Sequence, residues 1–288
     1  MGELRIGTCS WKYPSWSGLV YSAPKDINYL EEYARKYDTV EVDQWFWSLF
    51  PGAVVRLPNP ADVAQYAASV PRDFKFTVKV PNSVTLTHYY KKAKKGPEEE
   101  NPHFLSAAVF RQFVGLLDPI RENLGPLMFQ FEYLNKQKMR SQKYFMERFE
   151  SFARDLPRGY EYAVEVRNSS YLNEPFFEFL RRNGLIPVLI EGYWMPPVAA
   201  LYRKLTASIR RHKTVVIRLH GGDRQKIEEK TGNIWDRLID PKDDELAENA
   251  RVIDDLLRHG AGVYLNVNNH YEGSAPLTIN RIQKLLSP

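Results

Sequence analysis

A single (β/α)8 barrel is the fold class this sequence predicts, and three observations carry it. Short apolar runs of strand length alternate with segments of helical spacing through all 288 residues, making eight repeats. Polar residues inside those runs fall on alternate positions near their C-terminal ends. In 215–222, for example, Val216, Arg218 and His220 share one face while Ile217 and Leu219 share the other. The length suits a barrel of about 250 residues, and no glycine-rich nucleotide loop follows the first strand, as an open doubly wound sheet would favour. Parallel strands covered on both faces are ordinarily apolar throughout, so polar groups confined to one face imply a shared polar centre.

Leu4–Cys9 is the first strand, and the loop 10–18 behind it is too punctuated by Pro14 and Gly18 for a helix. Residues 25–37 read as helix and 38–43 as the second strand. That strand runs into Trp45, Phe46, Trp47 and Phe50, a cluster suited equally to core packing or to a ligand-stacking wall. A short helix, Pro60–Ser69, precedes the strand 74–80. A long segment then passes Thr87 and His88 and reaches Lys91, Lys92, Lys94 and Lys95, with Glu98 to Glu100 beyond Gly96 and Pro97. Blocks of like charge around Gly-Pro belong to a solvated loop.

Residues 104–117 and Asp118–Asn123 supply helical cover, and Gly125-Pro126 introduce the fourth strand, whose Gln130 faces away from its phenylalanines. Residues 139–156 place Tyr144, Phe145, Phe149 and Phe152 near helical spacing. The strand 160–167 follows, with Glu165 and Arg167 on one face. Helix 174–183 stops before Gly184, which suits the left-handed residue that ends helices, and 185–191 is the sixth strand. Pro196-Pro197 start the helix 198–212, which carries Arg203, Lys204, Arg210 and Arg211. After the strand 215–222, a polar loop spans 223–240. Helix 243–259, strand 261–267 and helix 276–286 complete one domain, 1–288.

The chain is mildly basic, with Lys+Arg 40 against Asp+Glu 35 and a net charge of +5, which favours anionic partners without requiring them. The single cysteine, Cys9, excludes an intramolecular disulfide and a cysteine-built zinc cluster. A reducing, cytoplasmic setting is expected, with no membrane partner, because neither a signal-peptide core nor an apolar run of membrane-spanning length is present.

Gly7-Thr8-Cys9-Ser10-Trp11 with Tyr13-Pro14 and Trp16, Val40-Glu41-Val42, Phe74 through Lys79, Thr87-His88, Leu124-Gly125-Pro126 with Gln130-Phe131, Val164 through Arg167, Arg218 through Gly221 and Asn268-Asn269 together resemble the YecE-like family. The resemblance covers nearly the whole chain and implies a domain of unknown function with a TIM-barrel fold. The chain departs from the family pattern at Cys9-Ser10, where Ser-Gly is usual, at Asp43 for Asn, at Phe46-Trp47 for Phe-Tyr, and at Glu132 for Pro. It also departs near Ser170-Tyr171, where Ser-Trp is usual. Glu191 stands where an Asp is common. These departures suit a variant ligand.

At a barrel mouth Glu41, Lys79, Gln130, Glu165, Arg167, Glu191, Arg218, His220, Asn266 and Asn268 would converge. Glu41, Glu165 and His220 are the candidate acid-base residues. Lys79, Arg167 and Arg218 are the candidate anion binders, with Gln130, Asn266 and Asn268 as hydrogen-bonding partners and Trp11 and His88 as walls. Structural ion pairing among the same charges is the plain alternative. A metal on Glu41, Glu165 and His220 is opposed by the neighbouring arginines, so no metal ligand is assigned, and no cofactor is identified. Cys9 is not assigned as a nucleophile. Three functions fit: an enzyme acting on a small phosphorylated or carboxylated ligand, a nucleic-acid binding or processing protein, and a non-catalytic metabolite-binding barrel.

Overall fold

Every apolar run of the eight repeats forms a strand, and the strands close on one another. The computed structural model describes residues 1–90 and 99–287, so the lysines at 91–95 and the Gly-Pro-Glu after them lie outside the described residues. In chain order the first half comprises β1 (Leu4–Cys9), α1 (Tyr29–Ala34), β2 (Thr39–Val42), β3 (Leu49–Phe50), β4 (Val54–Val55), α2 (Pro60–Ser69), β5 (Lys75–Lys79), α3 (Asn82–Thr85), α4 (Ala107–Leu116) and β6 (Leu124–Gln130). Then come α5 (Gln142–Ala153), β7 (Tyr162–Glu165), α6 (Glu174–Arg182), β8 (Ile186–Gly192), α7 (Val198–Ile209), β9 (Thr214–Gly221), α8 (Arg224–Thr231), α9 (Asp243–Arg258), β10 (Gly262–Val267) and α10 (Ala275–Leu286). The barrel runs β1-β10-β9-β8-β7-β6-β5-β2, with parallel pairing throughout. The hairpin β3-β4 is a separate antiparallel pair.

Departures from the expected elements have local causes. The first helix is shorter than 25–37, because Asp26 takes a left-handed φ of 61° and Asn28 caps the chain only at Tyr29. Residues 118–123 form a 3-10 turn interrupted by the non-helical Ile120. The polar stretch 223–240 contains α8, capped by the Asp223 side chain on Lys226 N and ended by left-handed Gly232. Only Ile227 and Thr231 of α8 are buried, so apolar spacing gave no sign of it.

Alternation along the strands builds two layers. Outward residues such as Val40, Phe76, Phe129, Val164, Leu189, Ile217 and Leu265 are buried beneath the helices. The aromatic spacing of α5 serves this layer: Phe145 and Phe149 meet Phe131 at centroid distances of 4.9 and 5.5 Å, and Phe152 meets Phe129 at 5.5 Å. Inward residues Met128, Ala163, Ile186, Val188 and Val216, with Tyr264 packed against them, fill the lower barrel as a separate apolar plug. Among the described residues no helix is long and apolar enough to cross a membrane.

Candidate functional site at the barrel mouth

Strand register places the inward polar side chains at matching heights. Glu41 lies beside Thr77, and Arg218 lies between Ile190 and Asn266, one step beyond the plug toward the C-terminal ends of the strands. Arg218 is only 1% exposed, and a buried guanidinium needs partners for its charge and its donors. Its Nε donates to Glu41 Oε2 at 2.7 Å and its Nη2 to Glu41 Oε1 at 2.5 Å, a bidentate pair. Its Nη1 donates to Glu165 Oε2, and to Gln130 Oε1 at 3.2 Å. Asn266 Nδ2 adds bonds to Glu41 Oε2 at 3.3 Å and to Thr77 Oγ1 at 3.0 Å.

Arg167, just past β7, continues the chain of charges. Its Nη2 lies 2.6 Å from Glu165 Oε1, and its guanidinium stacks on the Tyr193 ring at 4.3 Å. Burial by itself would push the Glu165 carboxyl up, but Arg167 and Arg218 outweigh it and hold it below its ordinary value. Arg218 is likewise held charged by Glu165 and Glu41 against its own burial.

The next residues toward the mouth carry titratable groups that make no ion pair with this network. His220 Nε2 is 3.5 Å from Cys9 Sγ, and its Nδ1 is 3.1 Å from the Tyr193 hydroxyl. Burial, then the charges of Arg218, Arg167 and Lys79, lower the His220 pKa well below 6.5 and keep the ring neutral. Burial and then Glu41 push the Cys9 thiol up. The same two causes raise Asp43. Lys79 is lowered by burial and then by Arg218; its Nζ sits 4.3 Å over the Phe46 ring and makes no ion pair or hydrogen bond among the described residues.

The glycines at the ends of β8 and β9 make this crowding possible. A Cβ on Gly192, with φ +117°, would lie 1.9 Å from Gly221 O, and one on Gly221, with φ +77°, would lie 2.4 Å from His270 O. Immediately after Gly192, Tyr193 and Trp194 take left-handed φ values of 54° and 65°, a strained pair that turns Tyr193 over the mouth.

These groups open on a cavity of 410 Å³ whose floor and sides include Glu41, Asp43, Lys79, Gln130, Arg167 and His220. Trp47 and Tyr90 form an exposed aromatic rim, 5.8 Å apart edge to face. A larger cleft of 740 Å³ lies at the opposite end, lined by Leu4, Ile6, Asp38 and Phe74 at the N-terminal ends of strands, the face that serves stability in this architecture.

Of the residues singled out from sequence, Glu41, Lys79, Gln130, Arg167, Arg218, His220 and Asn268 line the mouth cavity. Glu165 and Asn266 are buried beside Arg218 and do not line it. Three placements differ from expectation. Glu191 points outward from the barrel, where its Oε2 accepts from Val198 N at 2.8 Å and from Asn249 Nδ2 at 3.4 Å; it caps the helix side, because alternation in β8 turns Ile190 inward. Trp11 packs edge-on against Tyr66 at 5.1 Å and lines a separate cleft with Gln44, since the chain leaves the barrel wall after Cys9. His88 is tied to Thr87 Oγ1 at 3.0 Å and lies outside the cavity lining.

Tyr193, Arg224 and His270 line the cavity without having been singled out, and Asp43, noted in the sequence only beside Glu41 and as a departure from the family pattern, lines it too. Asp43 carried a legible signal, two residues beyond Glu41 on the same face. The others come from loops and α8, where no periodicity points inward. His270 is held by Asn268 and by Glu228, whose Oε1 is 3.0 Å from its Nε2.

The family model described as a protein of unknown function, DUF72, matches residues 5–288. A solved DUF72 family protein from Thermotoga maritima superposes with a TM-score of 0.66 at 24% identity, covering 99% of each chain. Another, from Enterococcus faecalis, gives 0.66 at 19% identity over 98% of this chain and 95% of its own. At these identities the likeness is one of fold, and it agrees with the barrel that the motifs implied. No curated protein matches the chain. With the family model spanning nearly its whole length, the chain belongs to the DUF72 family of proteins of unknown function.

Proposed function

We propose that the protein binds a small anionic ligand, phosphorylated or carboxylated, in the mouth cavity, and that Asp43 and His220 are the groups that exchange protons with it. One observation carries the reading: Lys79 is a half-buried cation over Phe46, on the cavity wall, without an anionic partner among the described residues. Arg167 supports it, because its buried Nε has no hydrogen-bond partner among the described residues while one edge of its guanidinium holds Glu165. An anion between Lys79 and Arg167 would supply the missing charge and acceptors. Arg218 is a different case. Each of its three nitrogens already donates to Glu41, Glu165 or Gln130, so it sets the field and positions the two carboxylates instead of gripping the ligand. Glu41 and Glu165 are correspondingly committed to ion pairs. Asp43, with its raised pKa, and neutral His220 are better matched to acid-base work.

The test is a thermal-shift panel of inorganic phosphate, phosphosugars, nucleotides and dicarboxylates on wild type, Lys79→Met and Arg167→Gln. A ligand at 100 times its dissociation constant stabilises the native state by about 2.7 kcal/mol. Loss of that shift in both variants supports the site, and an unchanged shift in both overturns it. Saturable binding with no chemical conversion would assign the non-catalytic alternative.

The nucleic-acid reading draws less support from α7 than its composition suggested. Arg203 pairs with Glu248 at 3.2 Å, Arg210 with Asp255 at 2.5 Å and Arg211 with Glu178 at 3.7 Å, so these arginines offer no uncompensated basic strip. That reading then rests on the lysines at 91–95. Oligonucleotide binding that weakens steeply with salt is its expected signature.

A further inference from the structure

We propose that Cys9, Glu41 and His220 form a three-ligand site for a zinc-class divalent transition-metal ion, with the fourth coordination position facing the mouth cavity. The three donor atoms come from the ends of three different strands, all are buried, and they lie within 4.8 Å of one another. Cys9 Sγ is 3.5 Å from His220 Nε2 and 3.6 Å from Glu41 Oε2. Tetrahedral zinc with bonds of about 2.3 Å to sulfur and about 2.0–2.1 Å to nitrogen or oxygen separates sulfur from its neighbouring ligands by about 3.5 Å. Two of the three ligand spacings therefore already have the tetrahedral value.

Further features fit a ligand set. The other ring nitrogen of His220 meets the Tyr193 hydroxyl at 3.1 Å, the outer contact that fixes a metal-binding imidazole in one orientation and tautomer. Glu41 is fixed at both oxygens by Arg218, which orients it. The charges of Arg218, Arg167 and Lys79 oppose a nearby cation; Glu41 and Glu165 balance the two arginines, and the Cys9 thiolate formed on binding supplies the further negative charge at the ion. When the ion binds, the bond from sulfur to the metal replaces the bond from sulfur to hydrogen, and the proton leaves to solvent. The mixed sulfur, nitrogen and oxygen set suits zinc or cobalt better than magnesium or calcium, which take oxygen ligands. Cys9, not Glu165, completes the set, because β1 lies beside β2 with Cys9 level with Glu41.

This site is independent of the anion grip, because Lys79 and Arg167 are not ligands, but with the ion bound both ring nitrogens of His220 are engaged and proton exchange with the anion falls to Asp43. Loss of the metal site leaves the anion site standing, and the reverse. The full chain, stripped with chelator, is titrated with cobalt(II), and bound metal and the thiolate-to-cobalt charge-transfer absorption are read together. The expected result is one equivalent of cobalt with that band, displaced by zinc, and both signals lost in Cys9→Ala and in His220→Gln. Tyr193→Phe, which keeps all three ligands, should bind about 10- to 100-fold more weakly with the band retained. It also serves as the informative variant if a ligand substitution fails to fold. No bound equivalent in wild type, or retention of the equivalent by either ligand variant, or Tyr193→Phe at wild-type affinity, overturns the site.

Discussion

Replacing Arg218 by methionine isolates the interaction on which the mouth depends. The guanidinium is 1% exposed and meets Glu41 through two bonds and Glu165 through a third. Removing it leaves two buried carboxylates with Arg167 as the partner of one of them and no guanidinium for Glu41. Breaking a buried pair from one side costs about 3–5 kcal/mol, mostly because the remaining charge is uncompensated. Arg218→Met should therefore lose about 3–5 kcal/mol in urea denaturation at neutral pH, without a change in the denaturant slope. Neutralising the orphan should recover part of the loss. In Arg218→Met/Glu41→Gln the two effects should be non-additive by about 1–3 kcal/mol, whereas independent sites add within about 0.5 kcal/mol. Acidification offers a second check, since a carboxyl left without its partner has a raised pKa, and the variant's deficit should shrink as pH falls toward that value. A loss under about 1 kcal/mol, or additivity in the cycle, would refute the reasoning.

Two further expectations concern the frame around the site. His212, buried under α6 and α7, has its pKa lowered to about 4, chiefly by burial. Because the folded value lies below the unfolded one, its contribution is complete above about pH 6.5 and is lost as pH falls toward 4, by about 3 kcal/mol at most. His212→Gln should flatten the acid limb of the stability profile relative to wild type, and parallel profiles would contradict this. Gly221→Ala should cost at least about 1–2 kcal/mol from the left-handed backbone alone, with more from the contact at His270 O, 2.4 Å from the added carbon. Chemical denaturation measures it, and a neutral substitution would show that the strand end has more room than the geometry allows.

Much of this architecture was legible because strands announce themselves twice, by apolar composition and by alternation. Leu4–Cys9 and Pro60–Ser69 were read to the residue. The polar inward positions of β2, β5, β6, β7, β9 and β10 followed from period two alone. What alternation could not give is the phase of a run that is apolar on both faces: in β8 Glu191 looked like a mouth residue, yet Ile190 is the one level with Arg218. Elements held by capping and polar surface, such as α8, left no apolar trace. The loop-borne members of the site were hidden for another reason. Tyr193 reaches His220 only through two successive left-handed residues, and backbone conformations of that kind are not written in a hydrophobic pattern. Nor does one-dimensional spacing tell a ligand-gripping cation from a neutralised one. Arg218 and Lys79 looked alike in sequence, and only burial and pairing separate them.

The distinction between those two cations is most directly tested by a crystal structure of the protein grown with inorganic phosphate. The account predicts phosphate in the mouth cavity, within hydrogen-bonding distance of Lys79 Nζ and the Arg167 guanidinium, while Arg218 keeps its bonds to Glu41 and Glu165. Phosphate bound to Arg218 in place of those carboxylates, or a cavity in which Lys79 is already paired with Asp43 and binds no anion, would contradict it.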